Sequence, residues 1–392
     1  SYEYPIFGAL DINNTPGPDV IAGMQADLDQ LPNANIKWEE TLEYNLGLDV
    51  GFFDNRLSFE GDIYHKSSYD LIAQLALPRT SPAPNGYFNV GEVETRGFEV
   101  QLTSYNIDNP DFSWVTNLNI SRDQNKVVDL GTFEGLQLQG NLINALIDGQ
   151  PINVFYGYEA NGLFLEQSEL DELNTVLPDG TPHYYQTPYT TLGDIKFLDN
   201  TGPVTDDDGN ILMDQNGEPY YKIDENDKVI IGDPNPDFYF GMNNTFTIKN
   251  FDISIFIQGV QGIDIYHQTR VKGTNYDLWT NQLTEVLDRY PYGTEVPRAD
   301  PLFSNANSRT SDRFVEDGSY VRLKNISFGY DFSAGWLQSL NITKARLYAS
   351  AENLYTLTNF TGLDPEMVGG NGIENGGYPQ YRTFIIGLNL GF

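Results

Sequence analysis

The chain has 392 residues, with 55 Asp and Glu against 22 Lys and Arg, a formal charge of −33, and no cysteine. Such a charge excludes a general nucleic-acid binder, since a phosphate backbone needs Lys and Arg, and argues against a surface that docks on anionic headgroups. Without a thiol there is no disulfide, no thiolate metal site and no cysteine nucleophile.

Residues 1–35 read as a loop punctuated by Gly and Pro. One short helix is expected over Asp19 to Leu31, where Val20, Met24, Leu28 and Leu31 fall on one face and Pro32 ends it. Strands then begin. Leu42, Tyr44, Leu46, Leu48, Val50 and Phe52 alternate with Glu43, Asn45, Gly47, Asp49 and Gly51. After a tight turn at Asp54-Asn55 the alternation resumes with Leu57, Phe59, Gly61 and Ile63, which predicts a long hairpin. Residues 67–87 form a Pro-rich loop. Phe98, Val100 and Leu102, then Trp114, Thr116, Leu118 and Ile120, predict a second hairpin turning at Asp108 to Asp111.

From about Val127 to Asp237 the alternation is lost. A capped helix is expected over Ser168 to Val176, with Ser168 and Asp171 at capping-box spacing. Phe238, Phe240, Met242, Phe246 and Ile248 restart the strands, and Lys249-Asn250 turns into Phe251, Ile253, Ile255 and Ile257. Residues 268–317 form another long loop, with a helix expected from Leu278 to Tyr290 on the spacing of Trp279, Leu283, Val286, Leu287 and Tyr290. In Tyr320 to Phe332 the apolar face Ile326, Phe328, Tyr330, Phe332 runs back into Lys324 and Arg322. Either those two lie beyond an apolar band or a bulge shifts the register. Ala345 to Ala351 and Phe384 to Phe392 complete the set, the last with large apolar residues at every even position.

Period two means one oily and one wet face, as in a soluble sandwich or a transmembrane barrel. Connection lengths favour the barrel. Residues 53–55, 106–111, 249–251 and 333–342 are short, and 67–87, 127–237, 268–317 and 358–378 are long; outer-membrane barrels keep short periplasmic turns and long outside loops. Abundant Tyr (25), Phe (23) and Gly (37) fit the same reading. No run of about 18 apolar residues predicts a transmembrane helix, and Ser1-Tyr2-Glu3-Tyr4-Pro5 has no signal-peptide character.

Candidate sites are few. His65, His183 and His267 are scattered and read as ordinary loop or strand residues. The acidic loop Asp206-Asp207-Asp208-Gly209 fails the EF-hand template, because Val204 and Gln215 fall at ligand positions 1 and 12. A solvated loop is favoured over calcium there, with Asp224 and Asp227 as conceivable extra ligands. No other cofactor is expected. No G-x-S-x-G, H-E-x-x-H or P-loop is present, so no enzyme is expected. Tyr44, Tyr64, Trp114 and Tyr348 near strand ends could stack on sugars, but an interfacial belt is favoured where they face lipid.

A family resemblance rests on seven segments in order. Glu316 to Tyr330 (EDGSYVRLKNISFGY) resembles the DGSYLRLKNITLGY block of SusC/RagA-type TonB-dependent transporters. Ala349 to Thr358 (ASAENLYTLT) resembles their ASxxNLxTxT strand, Tyr378 to Phe384 (YPQYRTF) resembles their YPQxRTF approach to the final strand, and Lys37-Trp38-Glu39, Gly91 to Glu94, Gly149 to Ile152 and Ile231 to Pro234 also match. Two segments depart: Asp288 to Thr294 stands where the family often has RWTPENP, and the compact DxNGDG loop is stretched from Asp199-Asn200 to Asp227.

The resemblance implies an all-β fold, part of a 22-stranded antiparallel transmembrane barrel. Roughly nine strands are counted, an odd number that cannot close alone. Residues 1–35 are then an extracellular loop region and 36–392 the C-terminal barrel strands, with the plug and N-terminal strands lying elsewhere. Leu46, Leu48, Ile253, Ile255 and Leu388 are expected to face lipid, and Phe392 to be the assembly signal read by the barrel-insertion machinery. The function implied is TonB-powered import of oligosaccharides or oligopeptides across the outer membrane of a Gram-negative bacterium. The implied partners are a SusD-like lipoprotein, the TonB complex through the missing N-terminal part, and lipid or lipopolysaccharide. The alternatives are a SusC-like barrel kept as a structural or docking subunit of an envelope machine, and a soluble β-rich surface adhesin.

Overall fold

The computed structural model describes residues 10–11, 27–28, 30–77, 80–81, 83–131, 143–274, 281–299, 307–337 and 341–392. Nine strands form one antiparallel meander in sequence order. They are β1 (Glu40–Phe52), β2 (Leu57–Tyr69), β3 (Glu92–Asn109), β4 (Phe112–Asp129), β5 (Phe238–Ile248), β6 (Phe251–Gln261), β7 (Tyr320–Asp331), β8 (Lys344–Thr358) and β9 (Thr383–Gly391). β1 and β9 are the two edges, so the sheet is an open section of barrel wall. No helix among the described residues is long and apolar enough to cross a membrane.

The alternation fixes the register. One row runs Asn244, Ile255, Ile326, Ala351, Phe384, and the next Phe246, Ile253, Phe328, Ala349, Ile386. Every oily position therefore lands on one face, because a one-residue slip would send the whole set to the other. The short connections 53–56, 110–111, 249–250 and 332–343 all lie at one end of the meander. The long ones, 70–91, 130–237, 262–319 and 359–382, lie at the other.

The ambiguous register of β7 resolves as a bulge. Asn325 pairs with Phe256 and Leu323 with Ile257, leaving Lys324 unpaired, while Asn353 and Leu354 are extra on β8. The slip puts Leu323 and Val321 on the oily face behind Ile326. It turns Arg322 to the polar face.

Most buried apolar side chains lie in the long connections and few on the sheet. Tyr158, Leu163, Phe164, Leu170, Tyr185, Ile195, Phe197 and Ile223 form one cluster within connection 130–237. Phe155, Tyr266, Phe314 and Ile373 form a second that joins three connections. Each such side chain contributes about 1.5–3 kcal/mol on burial, so this end is a packed structure.

Several local expectations are corrected. Within the span expected to be a helix, Asp27–Leu28 pair as a strand with Leu10–Asp11, and Val20 and Met24 lie outside the described residues. The loop 67–87 begins inside β2 and contains a hairpin of Ile72–Ala76 with Asn85–Asn89. Loops 127–237 and 358–378 likewise begin inside strands, β4 reaching Asp129 and β8 Thr358. The expected turn 106–111 shrinks to 110–111. The capped helix is Gln167–Leu173, beginning before Ser168, whose hydroxyl turns back to Glu166, so no capping box forms. Thr175–Val176 pair with Pro182–His183 instead. In the described part of that span, 281–290, a 3-10 turn forms at Thr284–Asp288 and no α-helix, and Pro291 disfavours helix at Tyr290. Trp279 lies outside the described residues.

Candidate functional site

The sheet presents two chemically opposite faces. On the oily face Leu46, Leu48 and Leu388 are exposed, as are Phe328, Leu347 and Ile386. Ile253 and Ile255 share this face on central strand β6 and are half-buried by their neighbours. Within this face Trp114 Nε1 and Thr116 Oγ1 donate to Asn244 Oδ1 at 3.0 and 2.7 Å, so these polar groups satisfy one another. Phe392 is exposed and lies just past β9, at the short-turn end.

The other face is wet. Thr103 Oγ1 donates to Asn117 Oδ1 at 2.9 Å, Ser254 Oγ to Asn243 Oδ1 at 2.9 Å, and Arg346 bridges Asp252 and Asp331 at 2.6 and 2.9 Å. Asp49 stands directly opposite Glu60, and Asp62 opposite Glu99. Like charges so placed repel, and only water's high dielectric makes the cost small. This face therefore meets water, and the oily face is left exposed rather than covered by a second sheet of the described residues. Tyr64 and Tyr348 also lie here: Tyr64 bonds Asp123, and the Tyr348 ring covers Gly387. Of the four expected belt aromatics, only Tyr44 and Trp114 are on the oily face.

At the long-connection end, polar clusters join the loops. Asp264–His267 pairs antiparallel with Val315–Asp317 and parallel with Ile373–Glu374. This places His267 between two carboxylates, Nδ1 3.0 Å from Glu316 and Nε2 3.6 Å from Glu374. Arg270 joins Glu316 at 3.4 Å and Glu285 at 3.0 Å. Burial raises the Glu316 carboxyl, but hydrogen bonds from His267 and Thr361, with the His267 charge, outweigh it and hold it down at about 2. A cleft of about 590 Å³ opens beside this group.

Below it, Arg322 is 2 % exposed and grips Asp364 and Glu366, each at 2.5 Å, with Lys324 on Glu366 at 2.8 Å. Burial pushes Asp364 up, yet hydrogen bonds from Arg322 and from the Gln380 and Glu366 amides leave it below the usual range.

The acidic loop is locally satisfied. Asp206 Oδ1 accepts from the Asp208 and Asn210 amides at 3.0 and 2.8 Å. Asp227 is fully buried and accepts from the Asn200, Thr201 and Asp224 amides. Asp224 caps the short turn that follows. Among the described residues no three His, Asp or Glu side chains gather as a metal site.

His267 lies in a strand, as read, but its role was missed: 49 residues separate it from Glu316, and no local pattern marks the pairing. Arg322 had one signal, the unclean register of β7.

The family described as "TonB dependent receptor-like, beta-barrel" matches residues 5–244. The chain is 36% identical over 383 residues to TonB-dependent receptor P3 of Formosa agariphila, covering 93% of this chain and 35% of that protein. It is 27% identical over 370 residues to TonB-dependent receptor SusC of Bacteroides thetaiotaomicron, covering 92% and 32%. The structure of the RagAB peptide transporter superposes at a TM-score of 0.76 and 20% identity, over 98% of this chain and 38% of that one. The chain spans about a third of the length of these relatives. With its open antiparallel wall and opposed faces, this chain belongs to the TonB dependent receptor-like, beta-barrel family.

Proposed function

We propose that these strands form part of the wall of an outer-membrane barrel that imports oligosaccharides or oligopeptides. In this reading the oily face, with Leu46, Leu48, Ile253, Ile255 and Leu388, meets lipid and the lipopolysaccharide chains. The face of Asp49, Glu60, Asp62 and Glu99 lines the lumen, and connections 130–237 and 262–319 make the outer mouth. A SusD-like lipoprotein covers that mouth, and the TonB complex acts on a plug that the closed barrel surrounds. The acidic loop at Asp206 is read as a solvated turn without calcium, and no enzymatic step is assigned.

The observation that supports this best is one sheet with an exposed apolar face backed by a wet, acidic one. That pattern suits a wall between lipid and water. Relatives named as TonB-dependent receptors support the dependence on TonB, and the RagAB structure titled a peptide transporter supports the oligopeptide cargo. The test is uptake of labelled oligosaccharides and oligopeptides by producing cells, with TonB intact and disrupted. Uptake should require both the protein and TonB. Unchanged uptake with loss of surface lipoproteins would favour the docking-subunit reading, and recovery of the protein in the soluble fraction would favour the adhesin.

A further inference from the structure

The last connection, 359–382, is held in two different ways. Residues 371–374 are anchored by packing and backbone: Ile373 is buried against Phe155, Tyr266 accepts no slack because its amide donates to Gly372 O at 3.0 Å, and Asn144 Nδ2 donates to Asn371 O at 2.9 Å. Phe360 is also buried, its ring against His267. Between these anchors residues 362–370 project over the polar face. Leu363 and Met367 are exposed on the outer side of this segment.

The side-chain bonds that tie the segment to the sheet run through two carboxylates. Asp364 takes Arg322 at 2.5 Å. Glu366 takes Arg322 at 2.5 Å, Lys324 at 2.8 Å and Gln258 Nε2 at 3.1 Å. Arg322 and Gln258 are directly opposite each other on the polar face of β7 and β6. The segment is also bracketed by glycines, Gly362 on one side and Gly369-Gly370 on the other, and a side chain at Gly370 would meet nothing within 4 Å. A cleft of about 290 Å³, lined by Arg322, Thr356, Asp364 and Gln380 among others, lies against it.

We propose that residues 362–370 form a flap, hinged at Gly362 and Gly369-Gly370 and latched by charge onto the polar face through Asp364 and Glu366. The latch runs through one buried cation, Arg322, while the rest of the connection is held by packing and backbone bonds, so loss of that cation frees the flap separately. The bulge at Lys324 gives this latch its place, because it turns Arg322 away from the oily face and under Asp364. The inference does not depend on which cargo passes the barrel.

Amide hydrogen exchange on the full protein in detergent tests this. In Arg322→Gln, peptides covering 362–370 should exchange at least about tenfold faster, with peptides covering 371–376 and 154–232 unchanged. In the intact protein about 1 M salt should give a smaller selective rise, since it screens mainly the partly exposed Lys324–Glu366 pair. Should Arg322→Gln fail to fold, Glu366→Gln decides alone. Unchanged exchange at 362–370, or an equal rise through 371–376, overturns the flap.

Discussion

His267 Nδ1 and Glu316 Oε1 lie 3.0 Å apart with both side chains largely buried, and Glu374 closes on the opposite ring nitrogen. The groups facing this pair are Arg270 with its partner Glu285, Thr361, and Glu374 itself. Because the Glu316 carboxyl is held down at about 2 from an ordinary 4.5, its contribution is complete above pH 4.5. That contribution is lost as pH falls toward 2, and it is on the order of 3 kcal/mol. Lowering pH through this window should therefore loosen the sheet of 264–267, 315–317 and 373–374, as read by amide exchange. In His267→Gln the same peptides should already be loose at pH 7 and respond less to acid.

The alternation made the wall readable. Leu42 to Phe52 and Phe384 to Phe392 needed only period two, and the count of nine strands matches the meander. It failed where the strands leave the apolar band. β3 and β4 are 18 residues each, about 60 Å when extended, against an apolar band of about 25 Å. The oily face of Phe98 and Val100 continues as Arg96 and Glu94, and that of Ile120 as Arg122, so the reading stopped short of the strand ends. The mouth was readable only in its helix near Ser168. Its core joins Phe155, Tyr266, Phe314 and Ile373 from distant connections, and contacts of that kind leave no local period.

Ile255 sits between Asn244 and Ile326 on the oily face of β6, near the middle of the strand. Ile255→Arg should cost about 2–4 kcal/mol of folding stability in bilayers if that face meets the membrane midplane. Ser254→Arg, one residue away on the wet face, should cost less. The measurement is unfolding of the purified protein in lipid vesicles, and equal costs for the two variants would reject the assigned faces.

Connections 130–237 and 262–319 should face the cell exterior. Protease added to intact cells is expected to cut within them and to leave the short turns 53–56 and 249–250 untouched. Exposed Tyr292 and Leu287, in the second connection, are accessible candidates for cleavage. Cutting that appears only once the outer membrane has been opened would reverse the topology.

Phe392 follows the last strand at the short-turn end and is 84% exposed, with Leu390 and Leu388 behind it on the same face. Two roles are compatible with that position, and they separate experimentally. A packing role at the membrane rim is worth no more than about 1–3 kcal/mol, the gain from burying one aromatic side chain. Phe392→Ala would then lower the unfolding midpoint while leaving the amount of inserted protein near normal. A recognition role for the barrel-insertion machinery acts before folding is complete. The same change would then cut the amount of folded barrel in outer membranes severalfold, and whatever inserted would unfold at nearly the usual midpoint. The exposure of Phe392 does not choose between them, because a ring on the oily face would pack on lipid and not on the chain. A reduced quantity with a preserved midpoint would establish recognition, and normal quantity with a lowered midpoint would leave packing as the only role.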